Sequence, residues 1–193
     1  MFQYGTQMNT SEARHTKGFS IIELLFVISV TFIVAGMAVL SMNSAIWSMK
    51  VNGSLNQLVG QMRTARDSAI AQRRNFQVVF VTPDQIQLRR QELPAGFTDL
   101  PVVSLGGGAQ FTVFSGVPDT PDGFGNATAI NFGGSPTLTF LSDGTLVDST
   151  GTALNGSIFI GIPGKPDTAR AVTILGATGR VRGYHWTGSK WIE

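Results

Sequence analysis

Residues able to do chemistry are few in this chain. Beyond residue 18 there is one histidine, His185, and no cysteine occurs anywhere. Disulfide frameworks, thiolate metal sites and cysteine nucleophiles are thereby excluded. A Ser-His-Asp triad would have one candidate base and no nucleophile elbow to serve. The glycine-rich runs Leu105–Gln110 and Gly161–Asp167 lack the spacing of a phosphate-binding loop. Asp119 and Asp122 in DTPDG, like Asp143 in LSDG, lack the ligand pattern of a calcium loop and read as turn formers. The expectation is a protein that is not an enzyme and that uses no metal or cofactor.

Two constellations remain. Near the carboxyl end, period-two alternation places Arg180, Arg182, Tyr184 and Trp186 on one face of a strand, with Lys190 and Trp191 in the tail. Cations interleaved with aromatics suit phosphate contact and base stacking, as nucleic-acid binding requires. The same pattern also suits tryptophans that anchor the tail beside solvated arginines. Near the amino end, Glu23 sits inside an apolar run where an unpaired ionisable group costs about 2–3 kcal/mol or more.

The elements that must position these residues follow from hydrophobic pattern. From Phe19 to Met42, 18 of 24 residues are apolar and only Glu23 is charged. A helix of that length is about 36 Å long and crosses a hydrocarbon core of about 30 Å. The run is too long for a secretory signal and lacks its small-residue cleavage site. Arg14 and Lys17 precede it, favouring a cytoplasmic amino terminus, although Lys50, Arg63 and Arg66 follow on the other side. After Met42 the apolar positions Val51, Leu55, Leu58, Met62, Ala65 and Ala69 form one helical stripe, and Arg63 with Asp67 is spaced as an i,i+4 pair. The helix is expected from Phe19 to about Gln72, with Gly36, Gly53 and Gly60 as soft points.

Two hairpins follow, FQVVFVTPDQIQLRRQ with Pro83-Asp84 in its turn and LTFLSDGTLVD with Asp143-Gly144. SIFIGI, AVTILG and GRVRGYHW supply three more strands. The stretch from about Pro94 to Pro136 reads as a Gly/Pro/Asp-rich insertion with short strands at FTVF and AINF. The fold class is α+β: a long amino-terminal helix, transmembrane then amphipathic, packed on an antiparallel β-sheet domain. Expected divisions are a leader over residues 1–18, a membrane or filament-core helix segment over 19–42, and a globular domain over 43–193.

Lys17-Gly18-Phe19-Ser20-Ile21-Ile22-Glu23, with the apolar run behind it, resembles the class III signal of type IV pilins and type II secretion pseudopilins. The resemblance implies that a prepilin peptidase cuts between Gly18 and Phe19 and that the new amino-terminal Phe19 is N-methylated. It also implies that Glu23 pairs with the amino terminus of a neighbouring subunit during assembly. An ammonium partner is what a carboxylate stranded in lipid would need. Many type IV pilins carry a mid-helix proline that permits local melting. Here no proline precedes Pro83, which leaves Gly36 alone for that role.

From ARDSAIAQRRNFQVVF through AVTILGATGRVRGY, the order of segments resembles the FimT/GspH-type minor pilins and pseudopilins. FimT-like pilins of transformable bacteria bind DNA through a Gly-Arg-x-Arg motif, which Gly179-Arg180-Val181-Arg182 matches. The expected function is therefore a minor pilin of a type IV pilus, with prepilin peptidase, other pilin or pseudopilin subunits and the inner membrane as partners; the motif adds DNA, bound through the carboxyl-terminal basic strand for uptake, as a further expectation. Its expected place is the bacterial inner membrane, amino terminus cytoplasmic, with the domain periplasmic or on the pilus. A GspH-type pseudopilin of a type II secretion system is the alternative, and a single-pass anchored binding domain a distant one.

The formal net charge of +2 hides segregation: residues 43–90 carry a net +5, residues 91–169 a net −6 and residues 170–193 a net +3. A basic helix end and a basic tail thus flank an acidic middle.

Overall fold

The computed structural model describes residues 18–134 and 137–193. The leader through Lys17, and Ser135 with Pro136 at the end of the expected insertion, lie outside the described residues. The chain divides into two compact units, Met1–Met42 and Asn43–Glu193.

In the first unit, helix α1 (Ile21–Gln72) begins two residues after Phe19. Its window Ile21–Ala38 has a mean hydropathy of 2.4, is long and apolar enough to cross a membrane, and has no residue buried within the protein. The hydroxyls of Ser29 and Thr31 donate to the carbonyls of Leu25 and Val27, so the polar atoms of this stretch turn back onto the helix. The backbone is helical through Gly36, Gly53 and Gly60.

In the second unit α1 becomes one-sided. Val51, Leu58, Met62, Ala65 and Ala69 are fully buried, as the stripe requires, while Leu55 is only partly buried. Ser54 is buried too, and its hydroxyl donates to the carbonyls of Lys50 and Gly106. The helix stops at Arg73, whose φ of 50° is left-handed. The Arg73 and Arg74 amides donate to the carbonyls of Ile70 and Ala69, closing the last turn in a Schellman motif.

The strands form two antiparallel sheets. In the first, β1 (Phe76–Val81) pairs with β2 (Gln85–Gln91) across the Pro83-Asp84 turn, as expected. β3 (Phe97–Asp99) and β4 (Val103–Ser104) extend β2. β7 (Thr137–Phe140) and β8 (Leu146–Val147) lie beyond β1 and turn at Asp143-Gly144. In the second sheet β5 (Gln110–Phe111) and β6 (Ile130–Asn131) pair with β9 (Gly156–Gly161). The order continues through β10 (Arg170–Leu175), β11 (Arg180–Trp186) and β12 (Trp191–Ile192).

The stretch read as an insertion is therefore part of both sheets. It supplies β3, β4, β5 and β6, of which only the last two were expected, and FTVF is a strand only at Phe111. It also covers the second sheet. All six residues of β9 are buried: Ile158 and Ile160 face the helix-side core, while Phe159 joins Ala171 and Tyr184 in a second cluster with Val113 and Trp191 packed on it.

Candidate nucleic-acid interface

β11 takes its orientation from the core. Val181 is buried in the helix-side cluster, and Gly183 faces Leu55 and Val59, where an added Cβ would come within 3.2 Å of Val59. Arg180, Arg182, Tyr184 and Trp186 consequently share the other face. That much follows the sequence. The availability of the four side chains does not.

Asp122, from the loop that covers this face, accepts from Arg182 Nη1 at 2.8 Å, from the Tyr184 hydroxyl at 3.0 Å and from Thr173 Oγ1 at 2.5 Å. Glu193 lies 3.7 Å from Arg182 Nε, and that buried nitrogen has no hydrogen bond. The Tyr184 hydrogen bond, opposed by desolvation and aided by Asp122 and Glu193, holds the Arg182 guanidinium above its ordinary basicity. Burial raises the Tyr184 phenol above its ordinary value, so it stays protonated as a donor. Tyr184 is 4% exposed, and its ring is not free to stack on a base.

The aromatics are tied down as well. Trp186 lies 5.4 Å from Trp191 between ring centroids, and Trp191 Nε1 donates to the Pro118 carbonyl. Trp186 stands about 20 Å along β11 from Arg180, so the exposed cation and the tryptophan pair occupy opposite ends of the strand. Lys190 sits in the turn closed by Thr187, whose amide donates to the Lys190 carbonyl at 3.0 Å. His185 is half-buried in β11 opposite Arg170 and Ile192. Asp119 is a turn former as expected, accepting from the amides of Thr120 and Gly125. Asp122 is the ion-pair partner described above, a role its spacing did not announce.

The structure brings Arg180 and Arg182 together with two helix arginines. A groove of about 620 Å³ is lined by Arg63, Arg66 and Asp67 of α1, by Thr178–Arg182, and by Glu193. It follows the edge of β11 that β12, paired only at His185 and Trp186, leaves open. Arg63 Nη2 donates to the Val181 carbonyl on that edge at 3.4 Å, and Arg66 Nε donates to the Thr178 carbonyl at 3.2 Å. Arg63 therefore reaches the sheet instead of pairing with Asp67, which lies 3.6 Å from Arg66. The Arg180 side chain has no partner among the described residues. Sequence spacing missed the helix arginines because they lie off the apolar stripe; the net +5 of residues 43–90 was the signal that could have drawn attention to them.

Gly179 shapes the end of this groove. Its φ is +61°, and a Cβ there would collide with the Gly144 carbonyl oxygen and stand 2.8 Å from Arg66 Cδ. Glycine in the Gly-Arg-Val-Arg run is thus required by the packing of two turns against the helix.

No family model matches the chain, and no curated protein does either. Among solved structures it is similar to the type IV minor pilin FimU of Pseudomonas aeruginosa strain PAO1: 19% identity, TM-score 0.47, 74% of this chain and 97% of that one. It is also similar to the minor pseudopilin EpsH from the type 2 secretion system of Vibrio cholerae: 16% identity, TM-score 0.48, 73% of this chain and 99% of that one. At such identities the likeness concerns the path of the backbone and assigns no role to a side chain.

Proposed function

We propose that this chain is a minor pilin of a type IV pilus. It is cut by prepilin peptidase between Gly18 and Phe19, N-methylated on Phe19, and assembled with other pilin subunits through its helix and Glu23. The observation that supports this most is the amino-terminal order: Gly18-Phe19 and then Glu23 at the head of a helix whose first 18 residues have a mean hydropathy of 2.4 and are unburied. Glu23 lies in the first helical turn, where a carboxylate also meets the positive end of the helix dipole. Before assembly the apolar segment anchors the protein in the inner membrane, amino terminus inward, with Asn43–Glu193 on the outer side.

The test is expression beside an active prepilin peptidase. Gly18→Ala should abolish the loss of mass that accompanies leader removal. Glu23→Ala should keep cleavage but lower recovery in sheared filaments by an order of magnitude. Normal processing of Gly18→Ala would reject the pilin reading.

The same proposal extends to DNA, bound weakly and without sequence preference through the carboxyl-terminal basic strand, with Arg180 as its exposed cation. Support comes from the Gly179–Arg182 motif and the open groove beside it. The pseudopilin reading draws on a different observation: Arg182 is neutralised by Asp122 and Tyr184 is buried, as a purely structural strand would have them. Salt-dependent DNA binding by the full chain favours the first. Its absence, with loss of secreted enzymes rather than of pili on gene deletion, favours the second.

A further inference from the structure

We infer that the phosphate-binding site is composite. Arg63 and Arg66 of α1 supply one wall and Arg180 of β11 the other, while Arg182, paired with Asp122, is a packing residue outside the phosphate-contacting set. The inference rests on the DNA-binding reading and says which side chains carry it.

Three observations converge on this division. First, the groove is a single concavity that both elements line, so a phosphodiester backbone lying in it meets helix and strand cations together. Second, the guanidiniums are differently committed. Arg63 is exposed, and among the described residues only its Nη2 is engaged, by a 3.4 Å bond to a neutral carbonyl. Arg66 bonds the Thr178 carbonyl through Nε and approaches Asp67 through Nη1, leaving Nη2 uncommitted among the described residues. The Arg180 side chain is exposed and unpaired among the described residues. Arg182, by contrast, already has a carboxylate at 2.8 Å and a second at 3.7 Å, with its side chain only 28% exposed. A phosphate would have to displace Asp122, which also accepts from Tyr184 and Thr173. Third, the engaged nitrogens of Arg63 and Arg66 hold the two side chains against the strand edge, so their remaining donors are oriented before a ligand arrives. Cations fixed in place lose less entropy on binding than free ones.

Each phosphate neutralised on duplex DNA contributes about 0.9 to the slope of log affinity against log salt. The test is fluorescence anisotropy of the full chain in detergent or nanodiscs, titrated with a duplex of mixed sequence over a salt series. Arg63→Gln with Arg66→Gln should lower the slope by about two units, and Lys at both positions should restore most of it. Arg180→Gln should remove about one unit. Arg182→Gln should leave the slope unchanged while lowering the melting temperature. Should the helix double variant keep the wild-type slope while remaining folded, or Arg182→Gln lose as much slope as Arg180→Gln, the composite site is wrong although the protein binds DNA. Absence of salt-dependent binding in the wild-type protein would overturn both this inference and the reading beneath it.

Discussion

Along Ile21–Ala38 no side chain is buried within the protein, whereas along β11 one face is taken by the core and most of the other by a loop from 60 residues earlier in the chain. The first segment has chemistry that can be read in order: an apolar stretch, a carboxylate, a small residue and an aromatic at set distances. The second has chemistry that depends on what lies against it. Of the cations and aromatics placed on one face by alternation, Arg182 is ion-paired, Tyr184 is buried and Trp186 is packed on Trp191, leaving Arg180 open. A spacing rule states which residues share a face; it is silent about what covers that face.

The largest test of this contrast uses one helix at two places. Leu58→Ala, at a fully buried position of α1, should cost the domain about 2–5 kcal/mol, read by thermal or denaturant unfolding. Leu25→Ala, 58% exposed, should leave that unfolding unchanged. Equal losses would mean that the two halves of α1 do not differ as described.

Gly179→Ala comes next. The left-handed φ and the collision with the Gly144 turn together should cost about 2–3 kcal/mol. Its signature is a lowered melting temperature in thermal unfolding. A fully stable Gly179→Ala protein would show that this glycine is not required for packing.

Asp122→Ala should cost about 1–3 kcal/mol, because it strips the partner from Arg182, Tyr184 and Thr173 at once. Combined with Arg182→Gln it should cost less than the sum of the two single changes, since both remove one interaction. Full additivity would mean that the pair is not coupled.

The smallest effect is in pH dependence. Burial raises the Tyr184 phenol above its ordinary value near 10, so its contribution to stability is complete below that pH and is lost as pH rises through the raised value. Alkaline melting curves should therefore be flatter in Tyr184→Phe than in wild type. Identical alkaline slopes would mean the phenol titrates freely.

Much of the architecture was legible because it is local. The helix, its buried stripe and the two hairpins follow from periodicities of three to four and of two, and from turn residues that admit few alternatives. The second half of the chain was less legible where contacts are long-range. The run from Pro94 to Pro136 looked like an insertion because its strands are too short to show alternation, two or three residues each. Their identity comes from partners in β2 and β9, which supply the hydrogen bonds that such short segments cannot make alone. The helix arginines were not read as part of a site for a related reason, since a cation off the apolar stripe is ordinary until a sheet edge is set beside it.

The sequence by itself determined the apolar span, the signal-like order Gly18-Phe19-Glu23, the α+β class and the shared face of Arg180, Arg182, Tyr184 and Trp186. Each of these depends on neighbours a few residues away. Only the tertiary structure decided which cations of that face remain open. That outcome rests on Asp122, a carboxylate 60 residues from Arg182, and on Arg63 and Arg66, more than 100 residues from Arg180, all carried to β11 by burial of the core rather than by chain proximity.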